Sequence, residues 1–111
     1  MIATTSPSER IVAEATSWPG VTTRPGRFGA LSLIVGRREI GHLHGDHAAH
    51  FAFPRDVAAR LRADGRVTEH PALPDSPGMT ARRIAGDDDV RDVIALLRLN
   101  YDRIAARHGN G

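Results

Sequence analysis

Four of the chain's six histidines fall within nine residues, at His42, His44, His47 and His50. Imidazole is a common transition-metal ligand and the side chain best placed to move a proton near neutral pH. Period-two alternation puts His42 and His44 on one face of a strand. If Gly45-Asp46-His47 forms the hairpin loop, His44 lies opposite Ala48 and His42 opposite His50. Cross-strand neighbours on one face have Cβ atoms roughly 4.5–5.5 Å apart, so three imidazoles converge. Two chemistries follow. His42, His44 and Asp46 form a candidate catalytic set for acid–base work. Alternatively, His42, His44 and His50 are candidate ligands for a divalent transition metal, with zinc, iron, manganese and copper all compatible. The loop length decides between this convergence and its loss, because a two-residue turn sends His50 to the opposite face. The competing view makes these histidines polar residues on the wet face of a sheet.

Weaker candidates surround this run. The Asp46 carboxylate can orient a histidine, ligate a metal, or hydrogen-bond backbone amides in its turn. Strict alternation places Glu39 on the face opposite His42. Arg82 and Arg83 alternate on a late strand, where one of them can anchor a carboxylate or phosphate. Asp75 is a further ligand-binding candidate in the proline-rich stretch Pro71–Gly78. Ser76 has no base tied to it by spacing. The chain lacks an HExxH run, and Gly36, Gly41 and Gly45 have hairpin spacing rather than a nucleotide-binding context. The five aromatic residues do not repeat like an RNA-stacking platform.

The elements that must position these groups are legible in the pattern. Ser6, Pro7 and Glu9 make a capping box for a first helix, with Ile11, Ala15 and Trp18 on one face and Pro19-Gly20 ending it. Val21–Gly29 reads as a short strand with a turn at Pro25-Gly26. Leu31, Leu33 and Val35 alternate inward on the next strand, and Gly36-Arg37 turns it back. Return strands are expected at 38–44 and 48–53, the second with Ala49, Phe51 and Phe53 on one face. Pro54 opens a short helix with Val57 and Leu61 inward, stopped at Gly65. A brief strand at 66–70 and a closing strand at 79–84 follow. Asp87, Asp88 and Asp89 favour the N-terminus of a last helix, with Val90, Ile94, Leu97, Tyr101 and Ile104 as its apolar stripe. This predicts an α+β fold in which a four- to five-stranded antiparallel meander packs against N-terminal, central and C-terminal helices.

Composition bounds the rest. The 111 residues suit one domain, expected at 6–107, with flexible ends at 1–5 and 108–111. No apolar run is long enough for a membrane span, and the N-terminus lacks a secretory pattern. The chain has no cysteine, which excludes disulfides and thiolate chemistry; a cytoplasmic protein is expected. All 15 basic residues are arginine, yet the formal net charge is only +2. Guanidinium stays protonated, so the pI of about 10.3 overstates the basic character. The arginines form no concentrated stripe, so nucleic acid is an unfavoured partner.

The segments Gly36–Asp46, Phe53-Pro54-Arg55, His70–Ser76 and Ala95–Tyr101 together resemble small bacterial luciferase-like domains. The likeness runs from about Val21 to Ile104. Most bacterial members have no assigned reaction; fungal luciferases, their distant relatives, oxidise a hydroxypyrone with molecular oxygen. The resemblance implies His42, His44 and Asp46 as site residues, with Asp75 next. Where the family pattern reads Pro-Asp-Ser-Gly-Trp, this chain has Asp75-Ser76-Pro77-Gly78-Met79, which implies a different pocket wall. His47 and His50 lie outside the shared pattern. The expected function is binding or oxidation of a small aromatic or pyrone-like molecule at a histidine-lined site. The alternatives are a non-enzymatic ligand-binding or protein-interaction module and a weak nucleic-acid binder. The sequence leaves the cofactor unassigned beyond a divalent transition metal, and leaves a homodimer open.

Overall fold

The computed structural model describes residues 5–109, and side chains for residues 5–107. Of the ends expected to be flexible, residues 1–4 and 110–111 lie outside that range. The order is α1 (Pro7–Thr16), β1 (Val21–Pro25), a 3-10 turn (Arg27–Gly29), β2 (Leu31–Val35), β3 (Arg38–His44), β4 (Ala48–Ala52), α2 (Arg55–Ala63), β5 (Thr68–Glu69), β6 (Met79–Arg83) and α3 (Asp87–Gly109). The strands form one antiparallel sheet in the order β1-β2-β3-β4-β6-β5. The α+β architecture is as expected, with six strands rather than four or five. The extra pairing comes from both edges: β1 pairs with β2 along its length, and two-residue β5 lies outside β6.

The local signals act as their chemistry requires. The Ser6 hydroxyl accepts from the Glu9 N–H at 3.2 Å, and the Glu9 carboxylate accepts from the Ser6 N–H at 2.9 Å, completing the capping box. Gly36 takes a φ of 62° in the two-residue turn between β2 and β3, a conformation that costs glycine little. Ile11, Leu33, Leu43, Phe51, Leu96 and Leu97 are among the fully buried side chains of one continuous core. Trp18 is also buried and lies 5.5 Å from the Tyr101 ring, whose hydroxyl donates to the Pro19 carbonyl at 2.7 Å.

Two helical stripes sit slightly off their expected positions. On α3, Val93 and Leu96 join Val90, Leu97, Tyr101 and Ile104 in the core, while Ile94 is only partly buried. On α2, Ala58 and Leu61 are buried and Val57 packs at the edge. The apolar face of each helix is broad, and the neighbouring surface selects which residues fill its centre.

The main irregularity lies in β3. Leu33 pairs with Gly41, but the next residue of β2, Ile34, pairs with Glu39, so Ile40 is an extra residue in the ladder. Such a bulge breaks alternation. Ile40 and Gly41 are both buried, and Glu39 moves to the face that carries His42. A Cβ added at Gly41 would lie 2.7 Å from Leu97 Cδ2 and 3.0 Å from Phe51 Cδ1, so α3 sits directly on this glycine. Asn100, fully buried on α3, donates through Nδ2 to the Ile40 carbonyl at 3.2 Å and to the Ala52 carbonyl at 3.0 Å. Its Oδ1 accepts from Arg103 at 2.8 and 3.2 Å.

Replacing this amide removes donors from the carbonyl of buried Ile40 and from that of Ala52, at roughly 1–3 kcal/mol for a buried group left unpaired. Asn100→Leu is therefore expected to lower the stability measured by urea unfolding by about 2 kcal/mol or more. Unchanged unfolding would show that the bulge holds without the amide.

Candidate functional site

The three-residue loop Gly45-Asp46-His47 sets the expected register: His42 pairs with His50, Leu43 with Ala49, and His44 with Ala48. Leu43 and Ala49 go into the core, so the imidazoles occupy the opposite face. Ring centroids lie 5.0 Å apart for His42–His44, 5.1 Å for His42–His50 and 4.3 Å for His44–His50. The pairings run in a row across the whole sheet: Arg24, Ser32, His42, His50, Ala81 and Thr68.

A fourth histidine completes the group. His70, just beyond β5, is buried with its ring centroid 4.3 Å from that of His50. It starts a tight turn in which the Leu73 N–H donates to its carbonyl and the Ala72 N–H to its Nδ1, both at 3.1 Å. A backbone N–H can only donate, so Nδ1 is the acceptor and Nε2 carries the proton. Glu39 reaches the cluster from the other side. Its carboxylate lies 2.9 Å from His42 Nδ1. That contact, together with the Ser32 hydroxyl and against a smaller effect of burial, holds Glu39 below the usual carboxylate range. An ionised carboxylate only accepts, so His42 donates from Nδ1, and its neutral form keeps the lone pair on Nε2. His42 and His70 thus offer opposite polarities. The local sequence hid both additions: Glu39 changes faces only through the bulge, and His70 lies 20 residues beyond His50.

These side chains form the floor of an open cleft of about 780 Å³. One wall is the Gly26–Phe28 turn with Ala30; the other is His70 to Leu73. Phe28 has a φ of 57° and is 96% exposed, and Leu73 is 50% exposed, so two apolar side chains stand at the mouth. A positive φ is a true outlier for so bulky a residue.

The remaining candidates are used elsewhere. Asp46 is not on the cleft; its Oδ1 accepts from the Ser8 N–H at 2.9 Å, fastening the β3–β4 loop to the first turn of α1. Hydrogen bonding by the Ser8 hydroxyl, and then by its N–H, holds the Asp46 carboxyl below the ordinary value. His47 is exposed beside it. Arg82 lies on the helix side, 2.5 Å from Asp89 and 2.9 Å from Asp92, and donates to the Arg66 carbonyl at 3.0 Å. Arg83 is exposed in a separate shallow hollow between β6 and the start of α3, and Asp75 is exposed in another beside Arg62. Neither joins the histidines.

A family model described as the luciferase domain matches residues 37–100. The chain belongs to the luciferase domain family. The match spans β3 to most of α3 and includes Glu39, His42, His44, His50 and His70; the luciferase domain's Phe28 wall falls outside it. No curated protein and no solved structure matches the chain. Among the described residues, no helix is long and apolar enough to cross a membrane.

Crowding sets the protonation of this luciferase domain's cleft. Burial foremost, then the neighbouring imidazoles, push His50 from an ordinary 6.5 down to about 4, against a small opposing pull from Glu39. Burial and nearby imidazoles lower His44 and His70 as well. A histidine whose pKa is depressed in the folded state binds its proton more readily when unfolded. His50 therefore leaves stability intact above about 6.5 and removes it as the pH falls towards about 4. At about 1.4 kcal/mol per unit, the loss is on the order of 3 kcal/mol. Urea titrations across that range should show it, and His50→Leu should shrink it; equal acid sensitivity in both proteins would refute the assignment.

Proposed function

We propose that the cleft binds a small planar hydroxylated molecule, aromatic or pyrone-like, and promotes its oxidation by molecular oxygen. The observation that carries this reading is the pairing of a proton acceptor and a proton donor on one floor: His42 through Nε2 and His70 through Nε2–H. The volume of about 780 Å³ suits a ligand of drug-like size. Apolar side chains at the mouth suit a flat ring, and Phe28 offers its face for stacking.

In this reading, Glu39 orients His42 as a carboxylate orients a general base. His42 takes the hydroxyl proton of the substrate, and His70 donates a hydrogen bond to a second oxygen. The resulting electron-rich anion is the form that reacts with oxygen, which accepts its electrons. The resemblance supports this chemical class, because fungal luciferases, distant relatives of such domains, oxidise a hydroxypyrone. Among the described residues, five of the 15 arginines pair with aspartates and the rest form no concentrated stripe, which supports a small-molecule partner over nucleic acid. A cytoplasmic setting accords with a chain free of cysteine.

The test is calorimetric titration of the metal-free protein with a methyl-substituted hydroxypyrone, alongside an oxygen electrode. Binding is expected to weaken at least about tenfold in His42→Ala and in Phe28→Ala, with circular dichroism unchanged; tenfold corresponds to about 1.4 kcal/mol. Oxygen uptake is expected to fall further in His42→Ala than in Phe28→Ala. Binding without oxygen uptake would leave a ligand-binding module, and equal binding by all three proteins would remove the cleft from the function.

A further inference from the structure

We propose that His42, His44 and His50 hold a divalent first-row transition metal ion on the floor of the cleft. One ring nitrogen of each lies within 4.8 Å of the others. Metal–nitrogen bonds of about 2.0–2.1 Å in tetrahedral geometry put ligand nitrogens roughly 3.4 Å apart. Closing the set therefore needs the rings to tip inward by about an ångström, on strands whose register already aligns them.

An independent observation points to a missing partner. His50 is only 8% exposed, and its Nδ1 has no hydrogen-bond partner; it is the one buried side-chain nitrogen or oxygen in that state among the described residues. Buried polar atoms are ordinarily satisfied, and an exception calls for an explanation such as an ion. The surroundings are those of a metal centre. Glu39 accepts a hydrogen bond from His42 Nδ1–H, the carboxylate–histidine arrangement that fixes a ligand ring and raises its basicity. It also supplies negative charge that three neutral imidazoles lack.

His70 stands outside the ligand set. Its Nδ1 is occupied by the Ala72 N–H, which leaves a protonated Nε2 unable to ligate. Asp46 is committed to Ser8 and His47 is exposed off the cleft. Three nitrogen ligands leave a position open on the ion. A substrate hydroxyl bound there would release its proton to solvent, replacing proton transfer to His42, whose Nε2 the metal would then hold. The site itself does not rest on the pyrone reading, because it is tested with metal alone.

The experiment uses the full chain, purified without a histidine tag and stripped with a chelator, titrated with Zn²⁺ by calorimetry and with Co²⁺ by visible absorption. One ion per chain is expected, with the Co²⁺ bands of a low-symmetry nitrogen site. His44→Ala, at a half-buried position, should weaken binding at least about 100-fold, with circular dichroism unchanged. Glu39→Gln should weaken it about tenfold, in the range for loss of a ligand's hydrogen-bond partner. His70→Ala and His47→Ala should bind as the parent does. Binding that His44→Ala leaves unchanged, or that His47→Ala abolishes, would overturn the site, as would no binding by the parent. Hydroxypyrone binding by the stripped protein is scored separately, so either idea can fail alone.

Discussion

The amide of Asn100 ties α3 to two neighbouring strands at once. It binds the carbonyl of Ile40, the extra residue of the β3 bulge, and that of Ala52 at the end of β4. It does so from a helix that rests on Gly41. A bulge carbonyl facing a packed helix has no strand partner and little water, so it needs a donor from the helix itself. The contact lies at the bulge that puts Glu39 on the face of His42. Arg103 satisfies the other end of the same amide, so the group is fully paired although buried.

The cleft on the opposite face has a different physical logic. Four imidazoles this close repel one another as cations, and burial opposes charge on those furthest in. Depressed proton affinity at His44, His50 and His70 follows. Neutral imidazoles retain lone pairs, and their neighbours decide which nitrogen keeps one: Glu39 for His42, the Ala72 N–H for His70. The walls add apolar surface but few competing polar groups. Such a site favours ligands that bring an ionisable oxygen to the floor and a flat apolar body to the mouth.

Charges elsewhere are spent on architecture. Arg82 bridges Asp89 and Asp92, tying β6 to the first turns of α3, while Arg66 binds Asp92 from the segment before β5. Asp89 also accepts from the Ala85 N–H at 2.7 Å, capping the helix start. Asp46 likewise secures α1 through the Ser8 N–H. These residue types invite functional readings in a bare sequence, because a carboxylate that fixes a helix end looks the same there as one that ligates a metal.

Alternation, turn residues and helix caps were enough to place the strands, the three helices and the face shared by His42, His44 and His50. All of these depend on neighbours a few residues away. Glu39 and His70 could not be found in that way. A bulge forms where a helix and a strand must meet at a particular distance, and the sequence near Ile40 carries no record of Leu97 or Asn100. The turn bearing His70 reaches the cluster because β5 and β6 fold back beside β4, an outcome of packing across the sheet. Local chemistry assigned the histidines to one surface; contacts between distant segments made that surface the floor of a cleft and chose which nitrogens remain free.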